Sequence, residues 1–393
     1  MAKRGQGEGT ISKRPDGTWW ARITVGRTPD GKQKRKAFYG KTRKEVQEKL
    51  TAALNDVNTG TYIEPSKMTV AQWLDIWLKE YKKNHVKLTT LANYHGEITH
   101  QIVPFIGCVK LKDLRTDVIQ KWINDLAGKG LAVSTVRGAY GTLNTALKQA
   151  VNNELIAKNV AAGVKLPREE KHMARVMTME EQKKFVAICK NEIAKGRNNH
   201  CEVFLFALAT GMRIGEIMAL TWKDIDFEKG EISISKTAVL VKMVDEVEQN
   251  GLKYKLIINS PKTRAGYRII PLLDDAKQLL IEHKKRQDDN KVAKGNLYYD
   301  EGIVFTSRYG KYLISSQLRE NIKRVSELAG IAPVHLHALR HTFATRGLEN
   351  GIELKVMQEL LGHSKISMTA DLYTHVLPEI KKNSMNKLQG ILL

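Results

Sequence analysis

Two Pro-Asp-Gly triplets, Pro15–Gly17 and Pro29–Gly31, stand within the first forty residues and do not recur further on. Asp-Gly and Pro-Asp-Gly signals mark tight reversals between strands. Around them run Gly9-Thr-Ile-Ser-Lys-Arg, Thr18-Trp-Trp-Ala-Arg-Ile-Thr-Val and Lys32-Gln-Lys-Arg-Lys-Ala-Phe-Tyr, which alternate in the strand manner. The pattern predicts a three-stranded antiparallel sheet. Thr42-Arg-Lys-Glu45 has the form of a capping box and opens a helix to about Asn58. Residues 1–60 therefore read as a sheet-plus-helix domain, with 1–7 outside it. A strand ribbon can enter a DNA major groove, and Trp19, Trp20, Arg22, Lys34 and Lys36 are the candidate DNA-contacting side chains. Alternation also turns one of the two tryptophans inward, beneath the helix.

After the connector Ile63-Glu-Pro-Ser66 the period changes to that of helices. Trp73, Ile76, Trp77 and Tyr81 follow helical spacing from Thr69. Thr89–Val103, Arg115–Leu126 and Ser134–Asn153 give three more helical stretches. Residues 68–155 thus form an all-helical domain whose aromatic positions read as core. Lys82, Lys83, Lys87, Lys110, Lys112, Lys121 and Arg137 make a candidate phosphate-facing surface. A second connector spans Asn159 to Arg175, and Thr178-Met-Glu-Glu181 is again a capping box. From there the chain is mainly helical, with short strands between 231 and 271. The predicted fold class is multidomain α+β, the last domain (172–393) carrying a small antiparallel sheet.

The charge is lopsided. The chain carries a formal +22, and its first fifty residues hold fourteen Lys and Arg against five Asp and Glu. Such an excess points to a polyanion as partner. It does not choose between DNA, RNA and an acidic membrane surface. Cys108, Cys189 and Cys201 are odd in number and contain no C-x-x-C pair, so they read as small buried hydrophobes in a reducing compartment. The N-terminus lacks an apolar signal region and no apolar run is long enough to span a bilayer. The expected location is the cytoplasm, with no membrane partner.

The chemistry-bearing residues lie in the last domain. Ala209-Thr-Gly-Met-Arg-Ile-Gly-Glu216 follows an apolar helix. Arg213 is a permanent cation that can fork onto two phosphate oxygens, and Glu216, three residues on, can orient it. Asn259-Ser-Pro-Lys-Thr-Arg-Ala-Gly-Tyr-Arg268 reads as a hairpin-like turn between two strands, from which Lys262 can reach a bound phosphate as general acid. His337 and Arg340 share one helix face after Pro333. A zinc site built on His335, His337 and His341 is the rival, but no H-E-x-x-H pattern or nearby cysteine supports it. Leu360-Leu-Gly-His363 has the form of a glycine-capped helix end that leaves His363 free to meet a phosphate. Tyr373, ten residues later, becomes a nucleophile if a base takes its proton and cations stabilise the phosphorane. Each fragment alone also fits an ordinary structural role, as an ion pair, a solvated lysine or a packed tyrosine.

In combination, Arg213, Lys262, His337-x-x-Arg340, Gly362-His363 and Tyr373 resemble the tyrosine recombinase (phage integrase) family. The phrases that carry the likeness are Thr-Gly-Met-Arg-Ile-Gly-Glu, Pro-Lys-Thr, His-Ala-Leu-Arg-His, Leu-Leu-Gly-His-Ser and Leu-Tyr-Thr-His-Val. The resemblance covers the whole chain. It implies an arm-type DNA-binding domain (1–60), a core-binding domain (68–155) and a catalytic domain (172–393). It implies integration and excision of a mobile element through a 3′-phosphotyrosyl link to Tyr373, chosen over Tyr309 and Tyr312 by its Leu-Tyr-Thr-His-Val context. Neither metal nor ATP nor another cofactor is implied. The implied partners are double-stranded DNA with core and arm sites, three further copies in a tetramer, and an excisionase or host DNA-bending protein. The implied location is the nucleoid of a bacterial cell. The apolar tail 378–393 would dock on its own protomer or a neighbour. A catalytically silent DNA-binding regulator and a type IB topoisomerase remain the alternatives. The separate basic arm module argues against the topoisomerase.

Overall fold

The computed structural model describes residues 9–27, 30–58, 67–169, 175–197, 200–243, 254–261 and 263–373. The expected connector at 63–66, Lys262 and the tail 378–393 lie outside them. The chain divides into two compact units, 1–170 and 171–393. Among the described residues no helix is long and apolar enough to cross a membrane.

The first hydrophobic core belongs to the basic N-terminal segment. Strands β1 (Thr10–Lys13), β2 (Trp19–Arg27) and β3 (Gln33–Gly40) pair antiparallel in sequence order, and α1 (Arg43–Asn58) follows. The Thr42 capping box forms only in half: Thr42 Oγ1 accepts from the Glu45 amide at 3.2 Å, but the Glu45 carboxylate accepts from the amide of Lys41, one residue ahead of the cap, at 3.0 Å. Ala21, Ile23, Val46 and Leu50 are buried, and Trp19, Val25 and Phe38 pack against them. The five candidate DNA-contacting residues consequently do not share a face. Trp19 sits on the side covered by α1. Lys36 opposes Ile23 in the register, and alternation puts Lys34 and Lys36 on the same side as Phe38. Trp20 and Arg22 face the other way, joined there by Arg35 and by Tyr39, which opposes Trp20. The Arg22 guanidinium lies 5.1 Å from the Trp20 ring centre, and that of Arg14 lies 5.3 Å from Tyr39.

A second core is wholly helical. It is built from α2 (Val70–Ile76), α3 (Leu88–Glu97), α4 (Val103–Ile106), α5 (Thr116–Gly128) and α6 (Val133–Asn152). The stretch expected as one helix over 89–103 is divided: α3 passes through a π-helical turn, Ile98–Ile102, into α4 at Pro104. Proline lacks the amide that a continuous α-helix needs at that point. Trp73, Trp77 and Trp122 are fully buried, so the helical period reports core here. Two of their indole N–H groups find carbonyls, Trp73 at Ala146 (2.9 Å) and Trp122 at Gln101 (2.8 Å).

The second unit surrounds α8 (Cys201–Thr210), which is apolar nearly all round and therefore central. Around it stand α7 (Met179–Ala194), the short α9 (Ile214–Met218), α10 (Asp274–Lys294), α11 (Ser315–Leu328) and α12 (Leu336–Glu349), followed by α13 (Leu354–Leu361) and α14 (Ile366–Tyr373). The strands divide between two sheets. β4 (Ile225–Asp226), β5 (Glu231–Ile234) and β8 (Arg268–Pro271) form one, while β6 (Thr237–Lys242) and β7 (Tyr254–Asn259) form a separate ribbon. The segment Asn259–Arg268, expected as a hairpin turn, is thus a crossover between sheets. Its Pro261 and the short turn Arg264–Gly266 reverse the chain, but β8 pairs with β5 rather than β7.

Replacing Trp122 with alanine removes a fully buried ring and strands the Gln101 carbonyl. The expected cost is about 3–5 kcal/mol, read as lost amide hydrogen-exchange protection across residues 70–152.

Candidate active site

The site forms where two helices end. α8 stops at Gly211 (φ 62°) and α13 at Gly362 (φ 64°), both in the left-handed region. A Cβ at Gly211 would stand 2.3 Å from the Phe343 ring, and one at Gly362 would stand 2.7 Å from the Ala265 carbonyl. Only glycine satisfies the conformation and the space together. The last carbonyls of a helix lack internal partners and carry the negative end of its dipole. Here arginines take them up. Arg340 donates through Nη1 to the Gly211 carbonyl (2.8 Å) and through Nη2 to that of Leu361 (2.5 Å). Arg213 Nη2 reaches the Gly362 carbonyl at 3.1 Å, and Arg268 Nε reaches that of Leu360 at 2.7 Å.

Glu216 ties these cations together. Its carboxylate receives Arg213 Nη1 at 2.9 Å and both Nη1 and Nη2 of Arg268, at 3.0 and 2.8 Å. It also caps α9 by accepting from the Arg213 amide at 2.8 Å. Arg213 is therefore the N-cap of α9. Burial alone would raise the Glu216 pKa, but the hydrogen bonds and charge of Arg268, helped by Arg213, outweigh it and hold the carboxyl below its ordinary value. Arg268 is the residue that sequence reasoning passed over. Its signal was a charged residue at the head of an otherwise apolar strand, Arg-Ile-Ile-Pro.

His363 follows Gly362 and is buried. Its Nδ1 lies 2.9 Å from the Thr369 hydroxyl, and its backbone is closed by Gln358 on both sides, amide to carbonyl at 3.1 Å and Nε2 to carbonyl at 3.0 Å. Burial, then the guanidiniums of Arg340 and Arg213, push the imidazole pKa down to about 3, so the ring is neutral near pH 7. On α12 the expected shared face of His337 and Arg340 is unequal. Arg340 is buried at 2% exposure, whereas His337 is exposed at the rim with its ring edge-on to His341 at 4.8 Å. Loss of hydration, then Arg340 and Arg213, lower the His337 pKa too. Burial beside Arg213 brings Arg340 down to about 9, still charged at neutral pH.

Arg213, Arg340, His363 and Glu216 thus converge in the second unit, with His337 at the edge. Lys262 lies outside the described residues, although Ala265, on the same crossover, touches the position of Gly362. Tyr373 is the last residue of α14, and its side chain lies outside the described set. Tyr309 and Tyr312 belong to the segment between α10 and α11, where the Tyr309 hydroxyl accepts from Arg308 at 2.9 Å. Among the described residues no group of three or more His, Cys, Asp or Glu is arranged to hold a metal ion.

Removing the Glu216 carboxylate (Glu216→Ala) leaves two partly or fully buried guanidiniums uncompensated. The expected loss is about 3–5 kcal/mol, seen as a lower melting transition of the second unit. A depressed histidine pKa has its own sign: between about 3 and 6.5 the unfolded chain binds more protons, so stability falls as pH drops through that window. Between pH 6.5 and 4.5, above the range of Glu216, His363 contributes a loss of up to about 2 kcal/mol. Melting curves across that interval should be flatter for His363→Gln than for the unaltered chain.

The phage integrase family model matches residues 175–379, and a model described as a phage integrase N-terminal SAM-like domain matches residues 69–127. A XerC-like tyrosine recombinase of Caldanaerobacter subterraneus subsp. tengcongensis is 34% identical over 381 residues, which span 94% of this chain and 95% of the relative. The integrase of Staphylococcus phage L54a is 27% identical over 368 residues, 88% of this chain and 99% of that one. Among solved structures, the Tn1549 transposon integrase in complex with transposon right end DNA superposes with a TM-score of 0.67 at 23% identity, covering 82% of this chain and 99% of its own. A lambda integrase dimer bound to a core site gives 0.57 at 20% identity, with 94% and 96% covered. These two likenesses are of fold. On the family match and the full-length relative, the chain belongs to the phage integrase family of tyrosine recombinases.

Proposed function

We propose that this chain is a site-specific DNA recombinase that integrates and excises a mobile element, with Tyr373 as its nucleophile. The observation that carries the reading is the pair of arginines fixed at two helix ends beside a neutral histidine. Arg213 and Arg340 each spend two of their five N–H groups on the protein, which leaves charge and donors for a phosphodiester. The Tyr373 oxygen attacks the phosphorus, and its proton passes to His337 acting as base. The bond from phosphorus to the 5′ oxygen breaks, Lys262 protonates that oxygen, and a 3′-phosphotyrosyl link remains. A 5′-hydroxyl from a partner duplex reverses the step and regenerates the tyrosine. Bond energy is kept in the link, so the reaction as written consumes no ATP, and guanidinium and imidazole groups supply the charge stabilisation.

Residues 1–60 would bind arm sites, with Trp20 and Arg22 on the outward sheet face alongside Arg35 and Tyr39. Residues 68–155 would bind the core site, and 172–393 would carry out catalysis. A lambda integrase tetramer has been solved on a Holliday junction, and we assign the same tetrameric assembly on double-stranded DNA to this chain. An excisionase or host DNA-bending protein would set direction. The expected setting is the cytoplasm of a bacterial cell, at the nucleoid.

A nicked suicide substrate tests the reading. The unaltered chain should trap a covalent protein–DNA adduct resolved on a denaturing gel. Tyr373→Phe should abolish the adduct while retaining DNA binding. An adduct that survives this change would remove Tyr373 as nucleophile.

A further inference from the structure

Threonines inside the helices of this chain differ in where the hydroxyl goes: Thr142 donates to the Glu97 carboxylate, and Thr345 Oγ1 has no hydrogen-bond partner among the described residues. Thr145, Thr210 and Thr342 donate the hydroxyl hydrogen to the carbonyl four residues back, at Gly141, Phe206 and Ala338, over 2.7–2.8 Å. Thr369, fully buried in α14, makes neither the backbone bond nor a carboxylate bond. Its hydroxyl meets Nδ1 of His363 at 2.9 Å, and among the described residues it makes no second hydrogen bond.

A hydroxyl has a single hydrogen, and leaving a buried one without an acceptor costs free energy. If Nδ1 carried the imidazole proton, it would donate to the threonine oxygen and leave the hydroxyl hydrogen with nowhere to go. If Nδ1 is bare, it accepts that hydrogen and both groups are satisfied. The ring is neutral near pH 7, so its one proton then resides on Nε2.

We infer that Thr369 is a positioning residue that holds His363 as its Nε2–H tautomer, so that the imidazole offers a hydrogen-bond donor to a phosphate oxygen. This rests on the proposed role of His363 in clamping the phosphate. Thr369 also stands four residues before Tyr373 on the same helix. The element that carries the nucleophile therefore sets the donor state of the clamp, and a displaced α14 releases both together.

The test uses the full chain labelled with ¹⁵N at histidine, with two-bond proton–nitrogen correlation spectra recorded at pH 7.5. Comparison with His363→Asn identifies the His363 ring. The expected spectrum has a bare Nδ1 and a protonated Nε2. Thr369→Val should lose that preference, and Thr369→Ser should keep it. In parallel, Thr369→Val should slow covalent adduct formation about 10- to 100-fold, as loss of a ligand-orienting partner does elsewhere, while Thr369→Ser restores most of the rate. A wild-type His363 protonated on Nδ1 overturns the inference, even should valine prevent folding. A valine variant with the wild-type tautomer and rate overturns it too. If His363→Ala cleaves at the wild-type rate, the clamp reading itself fails. If His363→Ala is slow but Nδ1 carries the proton, only the role of Thr369 falls.

Discussion

The carboxylate of Glu216 is the constraint on which the second unit's polar centre depends. A buried carboxylate beside one buried and one half-buried guanidinium would be costly without matched partners. Glu216 supplies charge to both cations and also caps the helix on which it sits. Arg268 completes the brace by joining β8 to the end of α13. Three segments far apart in sequence are thereby fixed to one another at a single point. Gly215, between Arg213 and Glu216, lets β6 approach so closely that a Cβ would stand 2.5 Å from the Thr237 hydroxyl. Packing and charge agree on the same geometry.

The arginines at the helix ends extend this logic. A helix C-terminus asks for a donor or a cation, and a phosphodiester asks for the same. Arg213 and Arg340 can answer both because a guanidinium has N–H groups in more than one direction. The left-handed glycines make it possible by turning the chain away and exposing the last carbonyls. On the proposed function, fold stability and anion binding would use the same side chains.

What was legible in the sequence followed locality. The capping box at Thr178 and the buried tryptophans of the helical core depend on neighbours within one or two turns and form as read, while at Thr42 only the threonine's half of the box forms. The Arg213–Glu216 pairing was visible for the same reason. Arg268 was not, because its partner lies 52 residues away and nothing near it in sequence announces a carboxylate. The crossover at Asn259–Arg268 misled for a related reason: proline and glycine declare a reversal but not which strand receives the chain. Trp19 is a different case. Ala21, Ile23 and Val25 share its parity, while Arg22 and Thr24 share that of Trp20, so the inward ring was identifiable from alternation alone. Thr369 was not legible because a helical threonine has its own backbone carbonyls within reach, and only the fold brings His363 to it.

The anchoring of Arg340 has a consequence for timing. An unrestrained arginine has about 2 kcal/mol of rotamer entropy to lose on being ordered. With Nη1 and Nη2 already held by the Gly211 and Leu361 carbonyls, that loss occurs while the polypeptide folds. If Arg340 clamps a phosphate as proposed, the arriving anion would meet a cation whose orientation is set in advance, and its binding free energy would not be spent on arranging the receptor. Such a centre favours anions whose oxygens match the fixed donors and resists adapting to those that do not. On the proposed function, discrimination by shape would thus be built in before any nucleic acid is engaged.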